Sequence, residues 1–174
     1  MPYLNDQLEA YQLGTSNQPF DIASVDDLRD ITLDMVQQCS RSLHILSRDL
    51  DALIYDNPDF IDALAQLVRR SRYVEIQILV HDSTQAVKQG HRLINLHQKF
   101  TSYIHYRRIH PEFKDYNQAL YIADDIGFVY RDYADRYEAT VNYCDSRLAK
   151  EYHKQFDEIW QVSEPDPQVR RLYI

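Results

Sequence analysis

Two short apolar runs, Ser42-Leu-His-Ile-Leu-Ser47 and Tyr73-Val-Glu-Ile-Gln-Ile-Leu-Val80, stand on either side of a segment with helical periodicity. That alternation constrains the fold more than any other feature of the chain. In the intervening segment Asn57-Pro58 supplies a cap and a proline suited to a first helical turn. Phe60, Ile61, Leu64, Leu67 and Val68 then mark one helical face, with Arg69 and Arg70 suited to the C-terminal end of its dipole. Strands joined by so long a connection pair in parallel through a right-handed crossover, because an antiparallel pair needs only a tight turn. An α/β core is expected.

The flanking segments extend this pattern. Ser24 caps an amphipathic helix carrying Leu28, Ile31, Met35 and Cys39, expected to end near Arg41. A third helix opens at Ser83 and is read as running through Gly90-His91-Arg92, although glycine costs about 1 kcal/mol there relative to alanine. Beyond Thr101 the pattern becomes strand-like at 102–107, 119–123, 127–131 and 138–143. Asp124-Asp125-Ile126-Gly127 provides turn chemistry between two antiparallel strands. Asp145 caps a last helix with Leu148, Tyr152, Phe156, Ile159 and Trp160 on one face, and Pro165 and Pro167 stop it. The expected organisation is an N-terminal arm or loosely docked strand over 1–23, one α/β domain over 24–162, and a tail over 163–174.

Composition narrows the function. A formal charge of −8 argues against broad capture of nucleic acid, which draws its affinity from many phosphate contacts. The apolar runs are far too short to span a bilayer, and Met1-Pro-Tyr-Leu-Asn-Asp6 lacks the pattern of a secretory leader, which makes the cytoplasm the expected compartment. Three glycines leave no phosphate-binding glycine loop. Cys39 and Cys144 read as core or near-core thiols. His91 and His97 do not share a helical face, so no metal pair and no cofactor are expected.

In open α/β sheets ligands bind outside the carboxyl ends of the parallel strands. Here that position gathers Ser47, Arg48 and Asp49 from one strand and His81 from its neighbour. Gly90 either allows close helix packing or leaves room for a ligand beside His91 and Arg92, which adds those two residues to the candidates. Arginine offers a carboxylate or phosphate a planar bidentate fork.

The segment Asn117-Gln-Ala119-Leu-Tyr-Ile-Ala-Asp124 falls where a phospholipase D-like protein carries H-x-K-x-x-x-x-D. Other segments agree with that frame. Phe60 to Val80 resembles the family's helix and second strand, Asp124-Asp125-Ile-Gly-Phe-Val its carboxylate and hairpin, and Tyr137-Glu138-Ala-Thr-Val-Asn its glutamate-bearing strand. Phe156-Asp-Glu-Ile-Trp160 resembles its closing helix. From about residue 24 to 162 the chain thus resembles one half of a phospholipase D-like domain, which implies a mixed sheet flanked by helices on both faces.

In that family the histidine acts as nucleophile or acid-base group and the lysine binds phosphoryl oxygens. Asn117 and Ala119 replace them here, and Arg131-Asp132 stands near the family's small Gly-Ser pair. An amide cannot form a phosphohistidine, so the resemblance implies a non-catalytic module. It adds Asn117, Asp124, Arg131 and Glu138 to the candidate site. The partner is then a small anion or a protein, with an accessory or regulatory role, and a homodimer is compatible with the family's two-fold pairing.

Other readings stay open. Arg48, Arg131, Asp49 and Glu138 are equally suited to an internal salt-bridge network. An altered hydrolase or transferase acting on a phosphate-containing substrate would use His81 or His91 as base, with Arg48 and Arg131 as clamps. Nucleic acid would be met through Arg107, Arg108, Arg170 and Arg171. The patch 105–110 fits the solvated face of a strand better, and the 14 tyrosines suit core, pocket wall or interface.

Overall fold

The computed structural model describes residues 7–170, so Met1–Asp6 and Arg171, both used in the sequence argument, lie outside the described residues. The strands are β1 (Phe20–Ile22), β2 (Ser42–Ser47), β3 (Glu75–Val80), β4 (Ile104–Arg108), β5 (Ala119–Ala123), β6 (Gly127–Arg131), β7 (Ala139–Asn142) and β8 (Glu164–Pro165). The helices are α1 (Val25–Gln38), α2 (Ala52–Tyr55), α3 (Pro58–Arg70), α4 (Thr84–Lys88), α5 (Arg92–Lys99) and α6 (Ser146–Val162). The strands form one sheet of eight, in the order β1-β7-β6-β5-β2-β3-β4-β8.

β2, β3 and β4 are parallel, and β5 runs antiparallel to β2, with Leu43 opposite Ala123 and Leu46 opposite Leu120. That register has a direct consequence for any site. The start of β5 lies at the carboxyl end of β2, and the turn that follows β5 lies at its amino end. This turn holds Asp124 and Asp125 in the left-handed region, φ 54° at each, which aspartate tolerates better than a β-branched residue.

Side-chain alternation sorts the strands between two layers. Leu43 and Ile45 of β2, Ile76, Ile78 and Val80 of β3, and Tyr121 and Ala123 of β5 face the core shared with α1, α3 and α5. Leu46, Leu79 and Leu120 point the other way, onto Phe156, Ile159 and Trp160 of α6. Helices therefore cover both faces of a mixed sheet, as the sequence leads one to expect. Ser24, Asn57 and Asp145 cap α1, α3 and α6 through their side chains, satisfying amide donors that an uncapped helix leaves orphaned.

The expected third helix is broken. Gly90 adopts φ +64° and ends α4, so the polypeptide turns before α5 starts at Arg92. His91 sits at that start as the cap. β1 pairs with β7 and β8 with β4, so residues 20–22 and 164–165 form the two edges of the sheet. Val169 is buried in the main core.

Candidate functional site

At the carboxyl ends of β2 and β3, three of the candidate residues come together. Arg48 follows β2, His81 follows β3, and Asn117 immediately precedes β5. The Arg48 guanidinium donates to Asn117 Oδ1 at 2.7 Å, while His81 Nε2 lies 2.9 Å from the Tyr116 carbonyl oxygen. Burial lowers the His81 pKa, and the Arg48 charge lowers it further, against the opposing effect of the Tyr116 bond. His81 Nε2 therefore carries the proton that it donates to Tyr116. Arg48 is exposed and spends one of its five N–H donors on Asn117, and the others have no hydrogen-bond partner among the described residues.

The loop that carries Arg48 is held firmly. Leu50 is fully buried in the left-handed region at φ 59°. Ser47 Oγ accepts from its N–H at 3.0 Å, and His91 Nε2 donates to its carbonyl at 3.0 Å. Ser47 and His91 are thus scaffold for the loop. His91 Nδ1 also accepts from the Leu93 N–H at 3.1 Å, so both ring nitrogens are spent and neither serves as a general base. Arg92 turns away to Asp56, at 3.1 Å. Asp49 is exposed on the loop itself.

Arg131 is buried and separate from Arg48. Its guanidinium donates to the carbonyls of Ala134, at 2.8 Å, and Arg136, closing the loop that follows β6. It therefore offers no free fork to an anion. Glu138 lies on the wall of an open cleft of about 770 Å³ with Asp21, Asp27 and Asp132. Among the described residues no ion pair joins Arg48, Arg131, Asp49 and Glu138, so the internal network considered for them does not form.

Asp124 lies at the opposite end of the sheet. Its carboxylate accepts from the backbone N–H groups of Ser40, Arg41 and Ser42 at 2.8 to 3.0 Å, and from Cys39 Sγ at 3.1 Å. Burial acts to raise its pKa, but those donors outweigh it and hold the carboxyl below its ordinary value. Asp124 ties the α1–β2 connection to the hairpin and touches nothing at the Arg48 end. Burial raises the Cys39 thiol far above its ordinary pKa, which keeps it protonated and inert. Arg107 of the basic patch is likewise committed, donating to the Trp160 carbonyl at 2.8 Å and stacking over the Trp160 ring.

The sequence argument missed a second cluster. His44 of β2 faces α6, and its ring lies 4.2 Å, centroid to centroid, from that of His153. His153 Nδ1 is 2.8 Å from Asp125 Oδ1. The signal was a single imidazole inside an apolar strand, which pattern reading treats as part of the run.

A family model described as a domain of unknown function, DUF7931, matches residues 24–172. The chain belongs to that family. No curated protein matches it. Among solved structures, the phospholipase D family member Nuc from Salmonella typhimurium has a TM-score of 0.62 at 14% identity, covering 86% of this chain and 99% of that one. NucT from Helicobacter pylori has a TM-score of 0.60 at 10% identity, with the same coverage of 86% and 99%. The archaeal chromatin protein TrmBL2, described as binding DNA in a novel mode, has a TM-score of 0.64 at 15% identity and covers 94% of this chain. This chain spans 59% of TrmBL2. At such identities the likeness is one of fold, and the fold is phospholipase D-like.

Proposed function

We propose that this chain is a non-catalytic phospholipase D-like module whose Arg48–His81–Asn117 rim binds a small oxyanion, phosphate or carboxylate, in an accessory or regulatory role. The observation that carries the proposal is the 2.7 Å contact from Arg48 to Asn117. The position of the family's nucleophile holds an amide oxygen, which orients a cation and forms no covalent intermediate. The free guanidinium N–H groups are a planar donor set that matches two oxygens of one anion. A strained, doubly anchored loop fixes the arginine, which lowers the ordering cost of binding.

The test combines calorimetric titration of inorganic phosphate and of a dicarboxylate with a phosphodiesterase assay on the same protein. Saturable binding that Arg48→Lys weakens and Arg48→Ala abolishes, with no turnover, is the expected result. Turnover that disappears in His81→Ala would replace the proposal with an altered hydrolase, and absence of binding to either anion would end it.

A nucleic-acid role draws support from the likeness to TrmBL2. The net charge of −8 and the commitment of Arg107 to Trp160 oppose it. DNA binding whose affinity falls steeply with salt would favour it over the small-anion proposal.

A further inference from the structure

The second cluster carries an inference independent of the anion rim, because it lies toward the amino end of β2 and on the face beneath α6. His44, Asp125 and His153 each offer one donor atom, and those atoms all lie within 4.8 Å of one another. They come from three elements: the middle of β2, the turn between β5 and β6, and α6. His44 is 4% exposed, and its Nδ1 is buried without a hydrogen-bond partner among the described residues. Its neighbours in the strand, Leu43, Ile45 and Leu46, are wholly apolar and fully buried. A position in that row needing only bulk would be met by a hydrocarbon side chain. An imidazole there leaves a polar atom unsatisfied unless something else approaches it.

We propose that His44, Asp125 and His153 bind one divalent transition-metal ion of the zinc class. Two imidazole nitrogens and one carboxylate oxygen suit borderline ions, and three protein ligands leave a position for water or a fourth group. Asp157 stands one helical turn beyond His153 on α6 and acts electrostatically on both histidines, which makes it the neighbouring carboxylate for that position. Gln77 is the register partner of His44 in β3 and backs the ring on the sheet side.

An ion would draw the three donor atoms, now within 4.8 Å of one another, to an even spacing. Nitrogen and oxygen ligands about 2.1 Å from a tetrahedral ion stand about 3.4 Å apart. The His153 and Asp125 donor atoms are 2.8 Å apart, so they separate by a few tenths of an ångström as the proton between them leaves. Both side chains are about one-third exposed, which gives the ion a path inward and His153 freedom to shift. An ion held there would clip α6 to the hairpin and to the central strand.

The test uses the full chain, freed of metal with a chelator and then dialysed, and titrated calorimetrically with zinc chloride and separately with magnesium chloride. The expected result is one zinc ion per chain with release of protons, an upward shift in the thermal midpoint, and no binding of magnesium. Asp125→Asn keeps a side chain that tolerates the left-handed turn, and His153→Ala changes a partly exposed position, so both should fold as judged by circular dichroism. Each should weaken zinc binding at least tenfold. Binding that survives both variants would place the ion elsewhere and overturn the proposal. So would the absence of one-to-one binding up to millimolar zinc.

Discussion

The buried imidazole of His44 makes a quantitative prediction about acid stability. Burial, aided by the neighbouring His153, lowers its pKa from the ordinary 6.5 to about 4, while Asp125 and Asp157 oppose the change only in part. The sign follows from which state takes up the proton. Between pH 6.5 and pH 4 the unfolded chain protonates His44 and the folded chain does not, so stability falls as the pH falls. At pH 4.5 the solution is about two units below the unfolded value, and at about 1.36 kcal/mol per unit the loss attributable to this residue is about 2.7 kcal/mol.

The perturbation is His44→Gln, which keeps a polar side chain of similar reach and cannot titrate. Urea unfolding, followed through the single tryptophan Trp160 with chelator present, would be measured at pH 7.5 and pH 4.5 for both proteins. Burial also lowers the pKa of His81, His91 and His97, which steepens the loss in both proteins and cancels in the difference. His153 acts with the opposite sign. Its bond to Asp125 raises its pKa, so its stabilising effect is complete below pH 6.5 and is lost as the pH rises from there through its raised folded value. The depressed Asp125 carboxyl keeps its contribution at pH 4.5, above its ordinary value of 3.8. The variant should therefore lose about 2.7 kcal/mol less than the native protein on acidification. Equal losses in the two proteins would refute the assignment of His44 as a neutral buried group.

Two further variants probe the ends of β5. Asp124→Ala removes the acceptor of three backbone N–H groups and puts alanine at a left-handed position, so a loss of about 3 kcal/mol or more is expected in urea unfolding. The double variant Asn117→His/Ala119→Lys should yield no phosphodiesterase activity and should destabilise the fold by about 3 kcal/mol or more, because an added ammonium meets a buried guanidinium. Ala119 stands opposite Arg131 in the sheet, and the void that they share is only about 10 Å³.

The parts legible in the sequence were those in which one local pattern decides the outcome. The β2–α3–β3 unit, the 119–131 hairpin and the capped α6 follow from periodicity, β-branched runs and turn residues. The break at Gly90 was hidden because apolar spacing continues across it, while one left-handed glycine ends the helix. The site divided for a related reason. Sequence order places Asn117 and Asp124 in one motif, but a strand of five residues carries them to opposite ends of the sheet. Only Asn117 reaches Arg48. Arg131 and His91 were visible as polar groups, yet nothing in their spacing reveals that nearby backbone atoms take up their donors and acceptors. His44 was hidden by burial within an apolar run.

The pair Ala119 and Arg131 shows how this sheet accommodates a buried cation. A mixed sheet of this kind brings the first residue of β5 opposite the last residue of β6, so the two side chains occupy the same patch beneath α1. In this chain the cation is on β6 and is satisfied by the carbonyls of Ala134 and Arg136 rather than by a substrate. A buried guanidinium with fixed acceptors is stable on its own, whereas one awaiting a phosphate would lie desolvated and unpaired. The buried charge at this position is an internal brace. Of Arg48, Arg92 and Arg131, only Arg48 is exposed without a carboxylate or backbone carbonyl partner among the described residues.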